Sequence, residues 1–418
     1  PAMDRLAHLA EQYPELPARA LLKAHLLFEG IRFNGAVGEA GRWALPSFKP
    51  YTPSVAERAA GLPATVPIPY LMHLAEGELV RVKCDPESPY EVVAEGDRTH
   101  LLLDGEVLEP ITFQRRPQWM AKTTADGHPT ASAGLSQHGD MLVINPAPGC
   151  DFFTERDAAG HSLHCSFCAY GRPDERSRAL GQVAGQGPIA ADGLARVVEA
   201  TLAAIPEVRH IYLVAGSLTD SHAEAERYLQ LTEALIGAGV TLPITAGPSA
   251  LARADTAALK QAGAAAVSYN LEVWGEPLFA AICPGKHRFV GYETWLARLT
   301  DAVAVMGAGN VLTAMVAGIE VDHPAGFASV EAALDHAEAG ADWLLGHRIA
   351  PVYSLHWSTR HATYGHVSTP AFDYYLRLAG RVAALRRRHG ATVPAHIVCR
   401  GCAYMQLDPD CCSIREGR

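Results

Sequence analysis

HIYLVAGS at residues 210–217, LPITA at 242–246 and AAVSYNLE at 265–272 are three short apolar runs separated by longer amphipathic stretches. Runs of this length bounded by turn-forming residues read as buried strands, and the stretches at about 223–238 and 256–262 read as helices. Working outward, VLTAMVAGIE at 311–320 is the next strand, preceded by a helix over 292–306 and followed by one near 329–339. Residues 343–349 and 395–399 are expected as further strands, with a long helix over 371–389 between them. Counting one strand that leads into a cysteine-rich loop near residue 150, the pattern predicts roughly seven βα units. The expected fold class is therefore α/β, a full or partial TIM-type barrel, with a doubly wound open sheet as the competing arrangement.

Residues 1 to about 140 read differently. A helical start around Leu21, Leu22, Leu26 and Leu27 gives way to β-leaning runs at 79–84, 90–93 and 99–103, punctuated by Asp85-Pro86 and Asp104-Gly105. The expected organisation is an α+β cap over 1–140, a βα barrel over 141–398 and a cysteine-rich tail over 399–418.

Composition excludes several classes of protein. Hydrophobic residues make up 49% and charged residues 19% of 418, with 37 glycines and 28 prolines, which fits an α/β fold with many short loops rather than a disordered chain. The net charge of −10 is spread without acidic or basic blocks, so a nucleic-acid partner is not expected. No apolar run is long enough to span a bilayer and no secretory signal is visible, so a cytoplasmic protein without a membrane partner is expected.

Nine cysteines fall unevenly: Cys84 and Cys283 stand alone, Cys150, Cys165 and Cys168 form one group, and Cys399, Cys402, Cys411 and Cys412 form another. Pairs at C-x2-C spacing in a long chain read as metal ligands rather than as a disulfide framework. In GCDFFTERDAAGHSLHCSFCAYG, residues 149–171, the spacing is Cys150-x14-Cys165-x2-Cys168. Three thiolates leave one iron of a [4Fe–4S] cubane without a protein ligand. The alternative is a zinc ribbon joining Cys165 and Cys168 to Cys399 and Cys402, across a separation far longer than common zinc motifs use. That reading makes the chain a zinc-stabilised βα-barrel binding or regulatory protein with structural cysteines.

With Phe167 in an aromatic slot before Cys168 and Tyr170 just after it, the loop resembles the cluster motif of the radical S-adenosylmethionine (SAM) superfamily with an expanded first spacer. Over about residues 150–400, the chain resembles the biotin-synthase-like branch of that superfamily. The resemblance implies that Ala215, Gly216 and Ser217 form the segment whose backbone receives the SAM amino group. It further implies that Asn270 and Glu272 contact SAM at the end of a strand, that Arg298 pairs with the SAM carboxylate, and that the segment with Gly318 and Glu320 packs against adenine. Strand ends of this kind are where barrel active sites are built.

Two further groups are singled out. Cys399, Cys402, Cys411 and Cys412 are expected to hold a second iron–sulfur cluster, a tail zinc or nothing; after a last barrel strand, they would lie on the same face as the first cluster. His347, His356 and Tyr353, with Arg348, Arg360 and His361, are the candidate catalytic and substrate-binding residues. The resemblance implies reductive cleavage of SAM at the cluster, a 5′-deoxyadenosyl radical that abstracts hydrogen from a small-molecule substrate, and a flavodoxin- or ferredoxin-type electron donor. Sulfur insertion, rearrangement and bond cleavage are the candidate outcomes.

Overall fold

The computed structural model describes residues 2–33, 71–95, 98–114, 134–146, 149–168, 190–356, 362–391 and 402–407. The chain forms two compact units, one comprising Pro1–Gln118 with Arg400–Arg418 and the other Trp119–Cys399.

In the first unit, helices α1 (Ala2–Gln12) and α2 (Ala18–Glu29) accompany a six-stranded sheet. Its strands are β1 (Arg32–Phe33), β2 (Leu71–His73), β3 (Leu79–Arg81), β4 (Tyr90–Glu95), β5 (Arg98–Leu103) and β6 (Glu106–Phe113), in the order β1-β4-β5-β6-β2-β3. Helix α2 starts after Pro17 and stops at Gly30, whose φ of 78° suits glycine. Every residue from Ala20 to Leu27 is buried, Lys23 and His25 included. His25 meets the Tyr90 hydroxyl at 2.7 Å, and Lys23 donates to the carbonyl of Ala403. Residues 402–407 thus run alongside this unit: Arg81 N–H donates to Tyr404 O at 3.0 Å, and Cys402 and Leu407 are buried. Strands β3, β4 and β5 fall in the three expected runs, and β6, which carries Pro110, lies beyond them.

The second unit is built on a seven-stranded sheet in the order β13-β12-β11-β10-β9-β8-β7. Strands β8 (Met141–Ile144), β9 (His210–Val214), β10 (Ile244–Gly247), β11 (Ala266–Ser268), β12 (Val311–Ala317) and β13 (Ala350–Leu355) are all parallel and neighbour one another in chain order. Strand β7 (Leu135–His138) edges the sheet as an antiparallel hairpin partner of β8. Between the strands come α3 (Ala191–Ala204), α4 (Ser221–Gly237), α5 (Arg253–Ala262), α6 (Glu276–Ile282), α7 (Pro284–Phe289), α8 (Tyr292–Met306), α9 (Ile319–Asp322) and α10 (Val330–Gly346); α11 (Thr369–His389) follows β13. A doubly wound sheet would reverse its strand order partway, and this one does not. The arrangement is a partial (βα) barrel. No described helix is long and apolar enough to cross a membrane.

The region expected as a strand over 343–349 is a correction. Buried Leu334, Ala337, Ala341, Leu344 and Leu345 recur at helical spacing, so α10 runs on through Gly346 and the strand begins at Ala350. Pro351 falls within β13, which lies at the edge of the described sheet, where proline is tolerated. The expected strand at 395–399 lies outside the described residues.

The sheet's two faces differ. Leu142, Ile211, Leu213, Met315 and Leu355 are sealed against the helical layer, while Val143, Tyr212, Val214, Ala314, Val316 and Ser354 are only half-buried. The cross-strand pairs Val143–Tyr212 and Val316–Ser354 put the half-buried set on one face. That open inner face leads to the carboxyl ends of the strands.

Candidate metal centre

The cysteine loop follows β8, and its long spacer is a folded unit. A single 3-10 turn, Asp151–Phe153, is followed by a hairpin in which Leu163 N–H donates to Glu155 O at 3.1 Å and Asp157 N–H to His161 O at 2.9 Å. The tip turns at Gly160, with φ of 84°, and the Asp157 carboxylate accepts from the N–H groups of Ala159 and His161. Ser162 Oγ donates back to the Phe152 carbonyl at 3.1 Å, and the rings of Phe153 and His164 stack with centroids 4.5 Å apart. Fourteen intervening residues therefore return the chain to its starting point. Cys168 N–H then donates to Cys165 O at 2.9 Å, closing a tight turn between the last two cysteines, with Phe167 half-buried between them.

The end of β9 seats this loop. A Cβ added to Gly216 would lie 2.3 Å from Cβ of Cys150 and 2.4 Å from the carbonyl oxygen of Gly149. Asp151 N–H donates to Ser217 O at 2.9 Å, and the Asp151 carboxylate accepts from Thr219 N–H at 3.0 Å. Ala215 N–H is taken by the Tyr228 hydroxyl, which itself donates to Gly247 O. Ser217 Oγ meets Ser249 Oγ at 2.9 Å. Glu224, which sequence reasoning passed over, binds Leu218 N–H and Ser249 N–H with its two oxygens and so ties the loops after β9 and β10 together. Burial pushes its pKa up even so.

A second surface against the loop was also missed, in what read as a plain connection between β11 and α8. Ser166 N–H donates to Ile282 O at 2.8 Å, and Gly285 N–H to Leu163 O at 2.9 Å. Phe152 stacks on Phe289 with an interplanar angle of 3°. Cys165 and Cys283 are both buried at this junction; contact with the Cys283 thiol pulls the Cys165 thiol below its ordinary value, while burial pushes Cys283 up. Lys286 is buried, with Nζ 2.7 Å from Glu272 Oε1 and 2.6 Å from Asn270 O. Burial alone would lower its pKa, but Glu272 and the Cys165 and Cys283 sulfurs outweigh that and hold it above the ordinary lysine value. Cys150 is pushed up to about 11, chiefly by burial, so a bound metal must supply the energy to form its thiolate. The run Cys283-Pro284-Gly285-Lys286 was the only trace of this surface in the sequence.

The remaining expected residues divide. Glu272 follows β11 with φ of 73°, a left-handed conformation that costs about 1–2 kcal/mol outside glycine. Two bonds to β12, Glu272 N–H to Ala314 O and Val316 N–H to Glu272 O, hold it there. Asn270 is committed within the sheet: Oδ1 accepts from Ser268 Oγ and Ala314 N–H, and Nδ2 lies 3.4 Å from the Tyr212 hydroxyl. Arg298 reaches from α8 to the loop after β10, donating to Ala250 O at 2.8 Å. Gly318, with φ of 110°, precedes α9, and its N–H donates to Glu320, whose other oxygen accepts from the Tyr374 hydroxyl.

His347, Tyr353 and His356 are not brought together. His347 caps α10, at the amino end of β13, with Nδ1 bound to Trp343 O. Tyr353 alternates with the inner-face residue Ser354, so its ring lies in the helical layer, where it senses Glu320 and Arg386. His356 alone stands at the carboxyl end, where Nε2 donates to Tyr364 O at 2.7 Å; Tyr364 N–H in turn donates to Ser166 O, beside Cys165. Tyr170, Arg360, His361, Cys399, Cys411 and Cys412 lie outside the described residues. Cys402 belongs to the first unit.

No protein-family model matches the sequence, and no curated protein does. Among solved structures, methylornithine synthase (PylB) is similar at 13% identity and a TM-score of 0.38, covering 60% of this chain and 70% of that one. The FeFe-hydrogenase maturase HydG from Carboxydothermus hydrogenoformans is similar at 14% and 0.40, covering 61% of this chain and 57% of that one. A further structure of HydG, a maturase of the [FeFe]-hydrogenase, stands at 14% and 0.40, covering 59% and 49%. These are distant likenesses, and the chain's own residues carry the functional reading.

Proposed function

We propose that this chain is a radical SAM enzyme that binds a [4Fe–4S] cluster through Cys150, Cys165 and Cys168. The observation that carries the reading is the set of three cysteines on one loop at the carboxyl edge of an open parallel (βα) barrel, with Gly216 bare where Cys150 is seated. The donor set fits: three sulfurs complete three corners of a cubane and leave one iron for a chelating ligand. Bound there, the cluster and SAM supply one-electron cleavage of the sulfonium and a 5′-deoxyadenosyl radical. The protein's own part is geometry. The hairpin fixes the sulfurs, Arg298 and Glu272 offer charged groups at the strand ends for the amino acid and ribose of SAM, and the half-buried inner face from Val143 to Ser354 lines the space in which a substrate would sit.

A small-molecule substrate, a low-potential flavodoxin- or ferredoxin-type donor, a cytoplasmic location and kinship with the biotin-synthase-like branch complete the proposal. Anaerobic reconstitution with iron and sulfide tests it. The expected result is a brown protein that releases 5′-deoxyadenosine from SAM under dithionite, and loses that activity when any of Cys150, Cys165 or Cys168 becomes Ala. A colourless protein with stoichiometric zinc would favour the structural-zinc alternative instead.

A further inference from the structure

Helix α4 turns one face toward the ends of two strands. Asp220 caps its start by accepting from His222 N–H and Ala223 N–H, and Glu224 and Tyr228, one turn apart, follow on the buried side with Ala225, Leu231 and Leu235. Glu224 is 1% exposed and Tyr228 0%.

Between them these two side chains hold the backbone where it leaves β9 and β10. Ala215 N–H donates to the Tyr228 hydroxyl at 3.0 Å, and that hydroxyl donates to Gly247 O at 3.2 Å. Leu218 N–H donates to Glu224 Oε2 at 3.1 Å, and Ser249 N–H to Glu224 Oε1 at 2.8 Å. Each side chain therefore bonds once to each loop, and the Ser217 and Ser249 hydroxyls, 2.9 Å apart, add a direct tie. Ala215, Leu218 and Ser249 lie past Val214 and Gly247, the last paired residues of the two strands, so the ladder between β9 and β10 offers their N–H groups no partner. Two N–H groups arriving from two loops need an acceptor at both ends of one side chain. A carboxylate accepts at both, whereas an amide turns a donor toward one of them.

What the clamp holds is the rim of the metal centre. Gly216 packs bare against Cys150, and Ser217 O accepts from Asp151 N–H. Ala250, next to Ser249, accepts from the Arg298 guanidinium at 2.8 Å. One loop thus abuts the first cysteine, the other anchors Arg298, and α4 fixes the spacing between them. A ligand that chelates an iron beside Cys150 while its carboxylate meets Arg298 has to match that spacing.

We infer that Glu224 and Tyr228 set the affinity for SAM by locking the loop after β9 against the loop after β10, so that the cysteine loop and Arg298 face one amino-acid group at a fixed distance. The inference rests on the radical SAM reading above. Neither side chain touches the ligand; both are positioning residues. Loops free to move would have to be ordered at the moment of binding, at the expense of affinity, and the clamp orders them beforehand.

Two measurements test this. Amide exchange is followed by mass spectrometry on the chain before reconstitution, and SAM binding by calorimetry on the anaerobically reconstituted, unreduced protein, with iron counted in every sample. In Glu224→Gln, exchange in the loops 215–219 and 247–250 is expected to rise about tenfold or more. SAM binding should weaken roughly tenfold in the same variant. Tyr228→Phe, which keeps the ring and removes the hydroxyl, should move both quantities the same way by less. Leu235→Ala, a cavity in the last turn of the same helix, should lower the urea midpoint and leave SAM affinity unchanged. Unchanged exchange in both loops of both clamp variants would overturn the inference without any need of iron. So would full iron with an unchanged SAM dissociation constant, or an equal loss of SAM affinity in Leu235→Ala. Should Glu224→Gln fail to hold iron, Tyr228→Phe decides: weaker SAM binding supports the clamp, and unchanged binding overturns it. A wild-type protein that binds no SAM would refute the radical SAM reading itself, whereas SAM binding indifferent to both clamp variants refutes only the positioning role.

Discussion

Gly216 and Cys150 approach so closely that no Cβ fits between the end of β9 and the start of the cysteine loop: the added atom would sit 2.3 Å from Cβ of Cys150. Gly216→Ala must therefore push the loop away from the strand end. Overpacking of this kind costs about 1–3 kcal/mol. The expected outcome is a folded protein with a lower denaturation midpoint and much reduced iron after reconstitution. Wild-type iron loading in Gly216→Ala would show that Cys150 can be displaced without consequence.

Arg298 is expected to bear on SAM affinity. It already spans from α8 to the carbonyl of Ala250 at the end of β10, which leaves the rest of its guanidinium for a carboxylate. Loss of a charge-assisted pair should weaken SAM binding by about 1.5–3 kcal/mol, or roughly ten- to a hundredfold. Calorimetry or filter binding with Arg298→Ala measures it, and an unchanged dissociation constant would remove Arg298 from the SAM site.

Glu320 should make stability fall as pH rises. Burial pushes its pKa up to about 7 from an ordinary value of 4.5, despite bonds from Gly318 N–H and the Tyr374 hydroxyl. The folded state thus holds a proton that the unfolded chain releases. Its contribution is fully present below the unfolded pKa and is lost as pH climbs from about 4.5 through about 7. The total is on the order of 3 kcal/mol. Urea unfolding at several pH values should show a shallower decline in Glu320→Gln than in wild type; parallel curves would contradict the raised pKa.

The tail cysteines can be tested by counting iron. If Cys399, Cys402 and one of Cys411 and Cys412 hold a second cubane, reconstitution should give about eight irons per chain, falling to about four in Cys399→Ala/Cys402→Ala. Four in both proteins would eliminate the second cluster. Because Cys402 is buried in the first unit, the double variant should also be checked by circular dichroism for local loss of structure.

Much of the barrel was legible along the chain. The runs at 210–217, 242–246, 265–272 and 311–320 all contain strands, and α8 has the expected bounds, because an apolar period and its flanking turns are local properties. Misjudgement came where local signals conflict with position: Trp343 and Leu345 look β-like in isolation, yet they extend a helix whose buried stripe began at Ala333. Cysteine spacing alone picked out the metal-binding candidates, since the ligating chemistry belongs to the side chain itself.

What the sequence by itself determined, then, is the succession of βα units and the chemical identity of the sulfur donors. Only the tertiary structure decided which residues surround them. Cys283 and Lys286 lie more than a hundred positions from Cys165, and two backbone hydrogen bonds and a ring stack join their segment, from Ile282 to Phe289, to the cysteine loop. The same holds for Tyr353 and His347, neighbours in sequence that face the helical layer and the opposite end of the strand. Periodicity follows from the backbone geometry of single elements, whereas proximity depends on how strands separated by whole helices are brought into register, and no local pattern encodes that.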